Sequence, residues 1–121
     1  MEPISELQEK AMLIMKEHRW SDAIQVLEED VRIHPDDPWS PMYLGSCYYE
    51  LRDYEIALFW FKQAHQIAPG LSTPIGLQGD ALHCLGRVDE ARERYLYALQ
   101  MDPDDELVNE NWKRFCKLEK G

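Results

Sequence analysis

The sequence predicts an all-α protein built of helical hairpins stacked side by side, because the same kinds of residue recur every 34 positions. Each unit has a small residue, a large apolar residue four positions later, and a proline near its end. In that order they are Ala23, Ala57 and Ala91, then Leu27, Phe61 and Tyr95, then Pro35, Pro69 and Pro103. Three independent marks at one spacing indicate three structural repeats rather than three unrelated helix pairs.

The residue types at these positions suit closely packed helices. Two helices approach to about 8–10 Å only where the side chains at their crossing are small, as Gly45, Ala57 and Ala64 are. Large residues at helical spacing then fill the space on either side of the crossing. They are Tyr48, Leu51, Tyr54, Leu58 and Phe61. Because a helix of about 13 residues is marginal alone, each hairpin requires its neighbour.

The middle unit carries a recognisable motif. It consists of Pro41, Leu44, Gly45, Tyr48, Tyr54, Ala57, Phe61, Ala64 and Pro69. This motif resembles the tetratricopeptide repeat, a unit of two antiparallel helices. The resemblance extends over nearly the whole chain. It implies a right-handed superhelical stack, a tetratricopeptide solenoid, of about seven helices.

The chain of 121 residues is expected to form a single domain of three repeats and a closing helix. The repeats are predicted at about 4–37, 38–71 and 72–105, and the closing helix at about 106–119. In the first repeat, Ser21 or Asp22 is predicted to cap the second helix. Asp30 stands where the middle repeat has Ala64, as expected of a terminal unit with one side in water.

Composition excludes several functions. The formal net charge of −10 and the pI near 4.7 argue against nucleic acid and anionic membranes as partners, because both are bound mainly through Lys and Arg. No apolar run approaches the roughly 18 residues of a spanning helix, and the amino terminus lacks the pattern of an export signal. We therefore predict a cytoplasmic protein. Cys47, Cys84 and Cys116 are interpreted as small buried or half-buried residues in a reducing compartment.

The sequence contains no convincing catalytic or metal-binding motif. Asp102, Asp104, Asp105 and Glu106 suggest a calcium loop, but Leu107 and Lys113 occupy the places of the glycine and the bidentate glutamate that such a loop requires. Helix capping explains these acids better. The four histidines are scattered, and no serine or cysteine lies in a nucleophile motif. We predict a protein without enzymatic activity, cofactor or metal.

The resemblance implies that the first helix of each hairpin lines a concave groove. The predicted lining is apolar and aromatic with a few polar points, and the closing helix can add Glu110 and Arg114. The candidate groove residues are Met12, Met15, Trp39, Met42, Tyr43, Ser46, Tyr49, Leu77, Asp80 and His83. Methionine and aromatic side chains suit recognition of an apolar peptide or helix. The alternative is that several of these residues pack between repeats.

Two uses known in the family can be compared with this lining. Relatives that grip the acidic tails of heat-shock chaperones use a clamp of Lys, Asn and Arg. The matching places here hold Gln8, Met12, Tyr43, Thr73 and Leu77, so the resemblance does not extend to that clamp. The leading hypothesis is an adaptor that binds an apolar segment of a partner protein. A chaperone like those of type III secretion, which have three such repeats and an apolar groove, is the first alternative.

A second surface feature is the aromatic pair Phe59 and Trp60 on the outer helix of the middle repeat. The neighbouring repeats have Gln25-Val26 and Glu93-Arg94 at the same places. Exposed aromatic pairs mark interfaces in many proteins. A self-assembling scaffold, a homo-oligomer formed through this convex face, is therefore the second alternative.

Overall fold

The computed structural model describes residues 4–120, and these form seven α-helices joined by short turns. The helices are α1 (Glu6–Lys16), α2 (Trp20–Ile33), α3 (Trp39–Glu50), α4 (Tyr54–Ile67), α5 (Thr73–Cys84), α6 (Val88–Met101) and α7 (Glu106–Lys120). Each helix packs against the next along the chain, and α7 packs against both α5 and α6. The predicted stack of helical hairpins is confirmed.

The residues at the 34-residue spacing form the centre of the packing. Ala23, Ala57 and Ala91 are completely buried, and so is Leu27, while Phe61 and Tyr95 are each 1% exposed. The buried apolar residues fall into two clusters, one centred on α1 to α3 and one running from α4 to α7. Tyr48 packs against both clusters and so connects the two halves of the stack.

Glycines permit the closest helix contacts. A Cβ added to Gly45 would clash with the Phe61 ring, and one added to Gly79 would lie 2.9 Å from the Tyr95 ring, 34 residues further on. The role of Gly76 was not predicted. A Cβ there would lie 2.5 Å from the side chain of Val108, so Gly76 is the point at which α7 docks on α5.

The turn inside each hairpin uses the same backbone conformation. His18, Arg52 and Gly86 occupy equivalent places 34 residues apart, and their φ angles are 59°, 66° and 79°. This left-handed conformation strains residues that have a Cβ, and only the third repeat supplies glycine. The prediction that Gly86 makes the third turn is confirmed, and the shared geometry shows that the turn is imposed by the packing of the hairpin.

Two expectations for the first repeat are wrong. The second helix begins at Trp20 after Arg19 and has no side-chain cap, because Asp22 forms an ion pair of 3.0 Å with Arg19 instead. Asp30 does not face water: it is 0% exposed. Its carboxylate is buried because it accepts hydrogen bonds from Ser5 Oγ at 2.7 Å and Ser40 Oγ at 2.5 Å.

Candidate functional site

The candidate groove residues differ in how far they are available to a partner. Most of them are half-buried, so each presents part of its side chain while the rest packs on the stack. These are Met12, Met15, Tyr43, Ser46, Tyr49, Leu77 and His83. Trp39 is 45% exposed. A lining of this kind is preorganised, because its side chains are already held in place on one side.

Met42 and Asp80 are buried instead, with 3% and 8% of their surfaces exposed. Met42 lies inside the stack, as in the packing alternative, and offers a partner almost no surface. Asp80 lies on the floor of a pocket, where neighbouring groups satisfy its carboxylate. The spacing of the repeats assigned both residues to the correct helices but did not determine how deep they lie.

The amino-terminal half of the site is an aromatic corner at the start of α3. The rings of Trp39 and Tyr43, one helical turn apart, have centroids 6.4 Å apart and are tilted by 32°. Asp37 holds the start of the helix, because its Oδ1 accepts a hydrogen bond of 2.9 Å from the Trp39 backbone N–H. An open cleft of about 520 Å³ adjoins this corner.

The carboxyl-terminal half is a smaller pocket of about 190 Å³ between α3, α5, α6 and α7. Its walls are aromatic and apolar, and its floor is polar. The lining residues are Tyr49, Asp80, His83, Cys84, Tyr95, Asn111, Arg114, Phe115 and Leu118. The exposed Leu118 and the half-buried Tyr49 give this pocket an apolar rim.

The floor of the pocket is organised by Asp80. The Tyr95 hydroxyl donates a hydrogen bond to one carboxylate oxygen, and Asn111 Nδ2 donates to the other at 2.7 Å. Arg114 Nη2 lies 3.9 Å from Asp80 Oδ1 and donates to Asn111 Oδ1 at 3.1 Å. Burial raises the pKa of Asp80 to about 6, although the Tyr95 hydrogen bond and the charges of Arg114 and His83 oppose the rise.

Tyr49 forms the wall of the pocket nearest to α3. Its hydroxyl accepts a hydrogen bond of 3.4 Å from the thiol of Cys84, and its ring packs edge to face on Tyr54 at 5.3 Å. Burial, followed by the interaction with Cys84, raises the pKa of the Tyr49 hydroxyl. The tyrosine is therefore a neutral donor that can serve a partner at any physiological pH.

His83 closes the pocket on the side of α7. Its Nε2 lies 2.8 Å from Glu119 Oε2, and its ring packs edge to face on Phe115 with centroids 4.8 Å apart. The closing helix therefore contributes more to the site than Glu110 and Arg114, which the sequence suggested. Asn111 and Phe115 belong to it as well.

Sequence reasoning missed the bond between Tyr95 and Asp80, although a signal was present. At the large apolar position only the third repeat has a hydroxyl, since the other two have Leu27 and Phe61. The same repeat places an acid, Asp80, where the first and second repeats have Met12 and Ser46. Two polar changes within one repeat indicate a buried polar pair, since each group needs a partner.

The two residues of the predicted convex interface, Phe59 and Trp60, differ in exposure. Phe59 is 51% exposed, and its ring packs edge to face on Trp60 at 5.2 Å. Trp60 itself is half-buried and packs against the amino-terminal core cluster.

Cys47 is buried, and burial raises its thiol pKa to about 12. Cys84 is exposed, so the interpretation of all three cysteines as buried or half-buried is wrong at that position.

The pKa of Asp80 leads to a testable prediction. Because the folded state raises this pKa above the unfolded value of about 3.9, the folded state binds the proton more tightly. The stabilisation is complete below about pH 4 and is lost as the pH rises through about 6. Between pH 4 and 7 the unfolding free energy of the wild type should fall more than that of Asp80→Asn, and the difference should be roughly 2 kcal/mol. Urea denaturation at each pH measures it.

The control for this experiment is Asp104→Asn, which changes an exposed acid in a loop. It removes the same charge from the chain but no buried carboxylate. Its pH profile should follow that of the wild type. A profile of Asp80→Asn that is as steep as the wild type would show that Asp80 titrates normally.

Comparison with known proteins bears on this architecture. The family model of the tetratricopeptide repeat matches residues 42–71, which include most of α3 and all of α4. The matched segment, about a quarter of the chain, is similar to the tetratricopeptide repeat. The matched unit is the middle repeat, in which Gly45 and Phe61 make the closest contact. The other two hairpins share its turn geometry.

Relatives with the same fold are distant in sequence. RNA polymerase II-associated protein 3 of Rattus norvegicus is 25% identical over 105 residues, which are 86% of this chain but only 16% of the relative. The chain thus spans about one sixth of that protein. The first tetratricopeptide domain of Spaghetti, bound to an HSP90 peptide, SRMEEVD, superimposes with a TM-score of 0.83 at 19% identity, covering 95% of this chain and 91% of that one.

A bacterial structure is equally similar in fold. The type III secretion chaperone SycD of Yersinia enterocolitica, in complex with a peptide of the translocator YopD, gives a TM-score of 0.82 at 17% identity. The alignment covers 95% of this chain and 92% of SycD. At this level of identity the likeness concerns the fold. Within residues 4–120, no helix is long and apolar enough to cross a membrane.

Proposed function

We propose that this protein belongs to the tetratricopeptide repeat family and is a non-enzymatic, cytoplasmic adaptor that binds an apolar peptide or helix of a partner protein in its concave groove. The observation that carries the proposal is the pocket of about 190 Å³ rimmed by Tyr49 and Leu118. A pocket with apolar walls and a few fixed polar groups can accept one large side chain of a partner. Trp39 and Tyr43 extend the apolar surface towards the other end of the groove.

The groove is not suited to an acidic tail. Gln8, at one of the clamp positions, is 2% exposed, and its amide is occupied by Asp30, Asp37 and Ser40. Met12 and Leu77, at two further positions, carry no charge. The chain as a whole has a net charge of −10, which repels an acidic ligand. We therefore expect no saturable binding of the peptide SRMEEVD, to which a structural relative is bound.

The central test is Tyr49→Glu. A carboxylate in the apolar rim would have to lose its hydration when a partner docks, and this cost should reduce binding at least tenfold. The measurement is capture of proteins from the native cell extract by wild type and variant, read by mass spectrometry and followed by titration of the captured protein. Circular dichroism and thermal melting establish that the variant remains folded.

Tyr97→Glu provides the matched control. Tyr97 is 43% exposed on α6 and is not part of the groove, so the same substitution there should leave capture unchanged. Equal capture by wild type and folded Tyr49→Glu would contradict the proposal. Micromolar binding of SRMEEVD would contradict it as well, since that peptide is acidic.

Two alternatives to the adaptor are each favoured by one observation. The likeness to SycD favours a secretion-type chaperone, whose client would occupy the same groove. The exposed Phe59 favours a self-assembling scaffold. Light scattering at increasing concentration separates the scaffold from the adaptor, because a scaffold gains mass and Phe59→Glu should return it to a monomer.

A further inference from the structure

The linker between α2 and α3 forms an open cleft with one aromatic wall. The cleft, of about 520 Å³, is lined by the residues from Ile33 to Trp39. Trp39 supplies the wall, with 45% of its surface exposed, and the centroid of its ring lies 6.4 Å from that of Tyr43. Pro35 and Pro38 restrict the linker backbone because the ring of each proline fixes its φ angle.

The charges of this cleft are negative. Asp36 is exposed, and Asp37 is half-buried, with its Oδ2 accepting a hydrogen bond of 3.0 Å from Gln8. His34 is the one basic side chain among the lining residues, which all lie in the described part of the chain, and its Nδ1 is 3.0 Å from Asp30. No Lys or Arg of the lining neutralises the two aspartates, so the cleft attracts cations.

The other two linkers lack this combination. In the second repeat the corresponding residues are Pro69-Gly70-Leu71-Ser72-Thr73, without an acid or an aromatic ring. In the third they are Pro103-Asp104-Asp105-Glu106-Leu107, with acids but no ring. There Asp105 is occupied, because its Oδ2 accepts hydrogen bonds from Ser72 Oγ at 2.6 Å and Thr73 Oγ1 at 2.8 Å. The exposed ring beside acids is specific to the first linker.

The face of an indole ring attracts cations, and the attraction is strengthened where carboxylates lie beside the ring. A guanidinium group fits such a place well, since it stacks on the ring and donates hydrogen bonds in its own plane. We propose that this aromatic–acidic cleft binds an arginine or lysine side chain of the segment held in the groove. This inference rests on the proposed function and specifies the partner: an apolar segment flanked by a basic residue.

The test is a selection from a random library of peptides about 12 residues long, carried out in parallel on several variants. Wild type is expected to enrich peptides with an apolar core and an arginine or lysine at one end. Asp36→Asn should keep the apolar core but lose the enrichment of the basic residue. Trp39→Leu should lose that enrichment as well, and because Trp39 also belongs to the apolar surface, its selected core can change. Asp104→Asn removes an acid from the equivalent place in the third linker, away from Trp39, and should select like the wild type.

Affinity measurements then give the size of the basic residue's contribution to peptide binding. For a peptide selected on the wild type, replacing its arginine by citrulline, a neutral group of the same shape, should weaken binding about two- to tenfold at moderate salt. The difference should shrink in 1 M salt, where charges are screened within about 3 Å. The loss of affinity caused by citrulline should also be smaller when the arginine and citrulline peptides are both measured on Asp36→Asn.

The outcomes separate this inference from the proposed function. Apolar peptides without a basic residue would overturn the cation site and leave the groove intact. Failure to enrich any peptide on the wild type would overturn both. Equal effects of Asp36→Asn and Asp104→Asn would show that net charge attracts the basic residue, and the cleft would then not be its site.

Discussion

Replacement of Phe61 by alanine is expected to lower the free energy of unfolding by about 3–5 kcal/mol. Phe61 is 1% exposed and belongs to the larger core cluster, so its removal leaves a cavity between α3 and α4. The ring also fills the space left by Gly45. Urea denaturation followed by circular dichroism measures the loss, and a change below about 1 kcal/mol would show that the hairpin crossing lies elsewhere.

The same contact can be tested with a double-mutant cycle. Gly45→Ala introduces a Cβ that clashes with the Phe61 ring, so the single variant should be destabilised. In the Phe61→Ala background the ring is absent, and the cost of Gly45→Ala should fall by about 1–2 kcal/mol. Additive effects would show that the two residues do not share one packing site. Gly70→Ala is the control, since nothing lies within 4 Å of a Cβ there.

Asp30→Ala is expected to destabilise the protein by about 2–4 kcal/mol, although repeats two and three have alanine at this place. The substitution leaves Ser40 and Gln8, both buried, without the carboxylate that accepts their hydrogen bonds. An unpaired buried polar group costs more than the bond itself contributes. Glu29→Ala, an exposed neighbour on α2, should change stability by less than about 0.5 kcal/mol.

The pH dependence of Asp30 should be opposite to that of Asp80. Burial alone would raise the pKa of Asp30, but hydrogen bonds from Ser40, Ser5 and His34 outweigh it and hold the pKa below its ordinary value. Its contribution to stability is therefore present above about pH 4 and is lost as the pH falls further. The difference between wild type and Asp30→Asn should shrink below about pH 4. A constant difference would mean that the carboxylate is not the stabilising species.

Much of the fold was predictable because it depends on local spacing. Ala57 and Phe61 are four residues apart on one helical face, and this relation holds in each repeat without knowledge of the partner helix. The hairpin turns were predictable for the same reason at Gly86. The candidate groove was predicted less well: Trp39 is exposed and Tyr49 is half-buried, whereas Met42 is buried.

The sequence by itself determined the three hairpins and the closing helix, because helical period and repeat period are properties of the chain. Only the tertiary structure decided the roles of Asp30 and Asp80. Each carboxyl group is hydrogen-bonded by residues from other parts of the chain: Ser5 and Ser40 contact Asp30, while Tyr95 and Asn111 contact Asp80. Whether an acid faces water or a buried donor depends on side chains brought together by packing, which no spacing along the chain specifies.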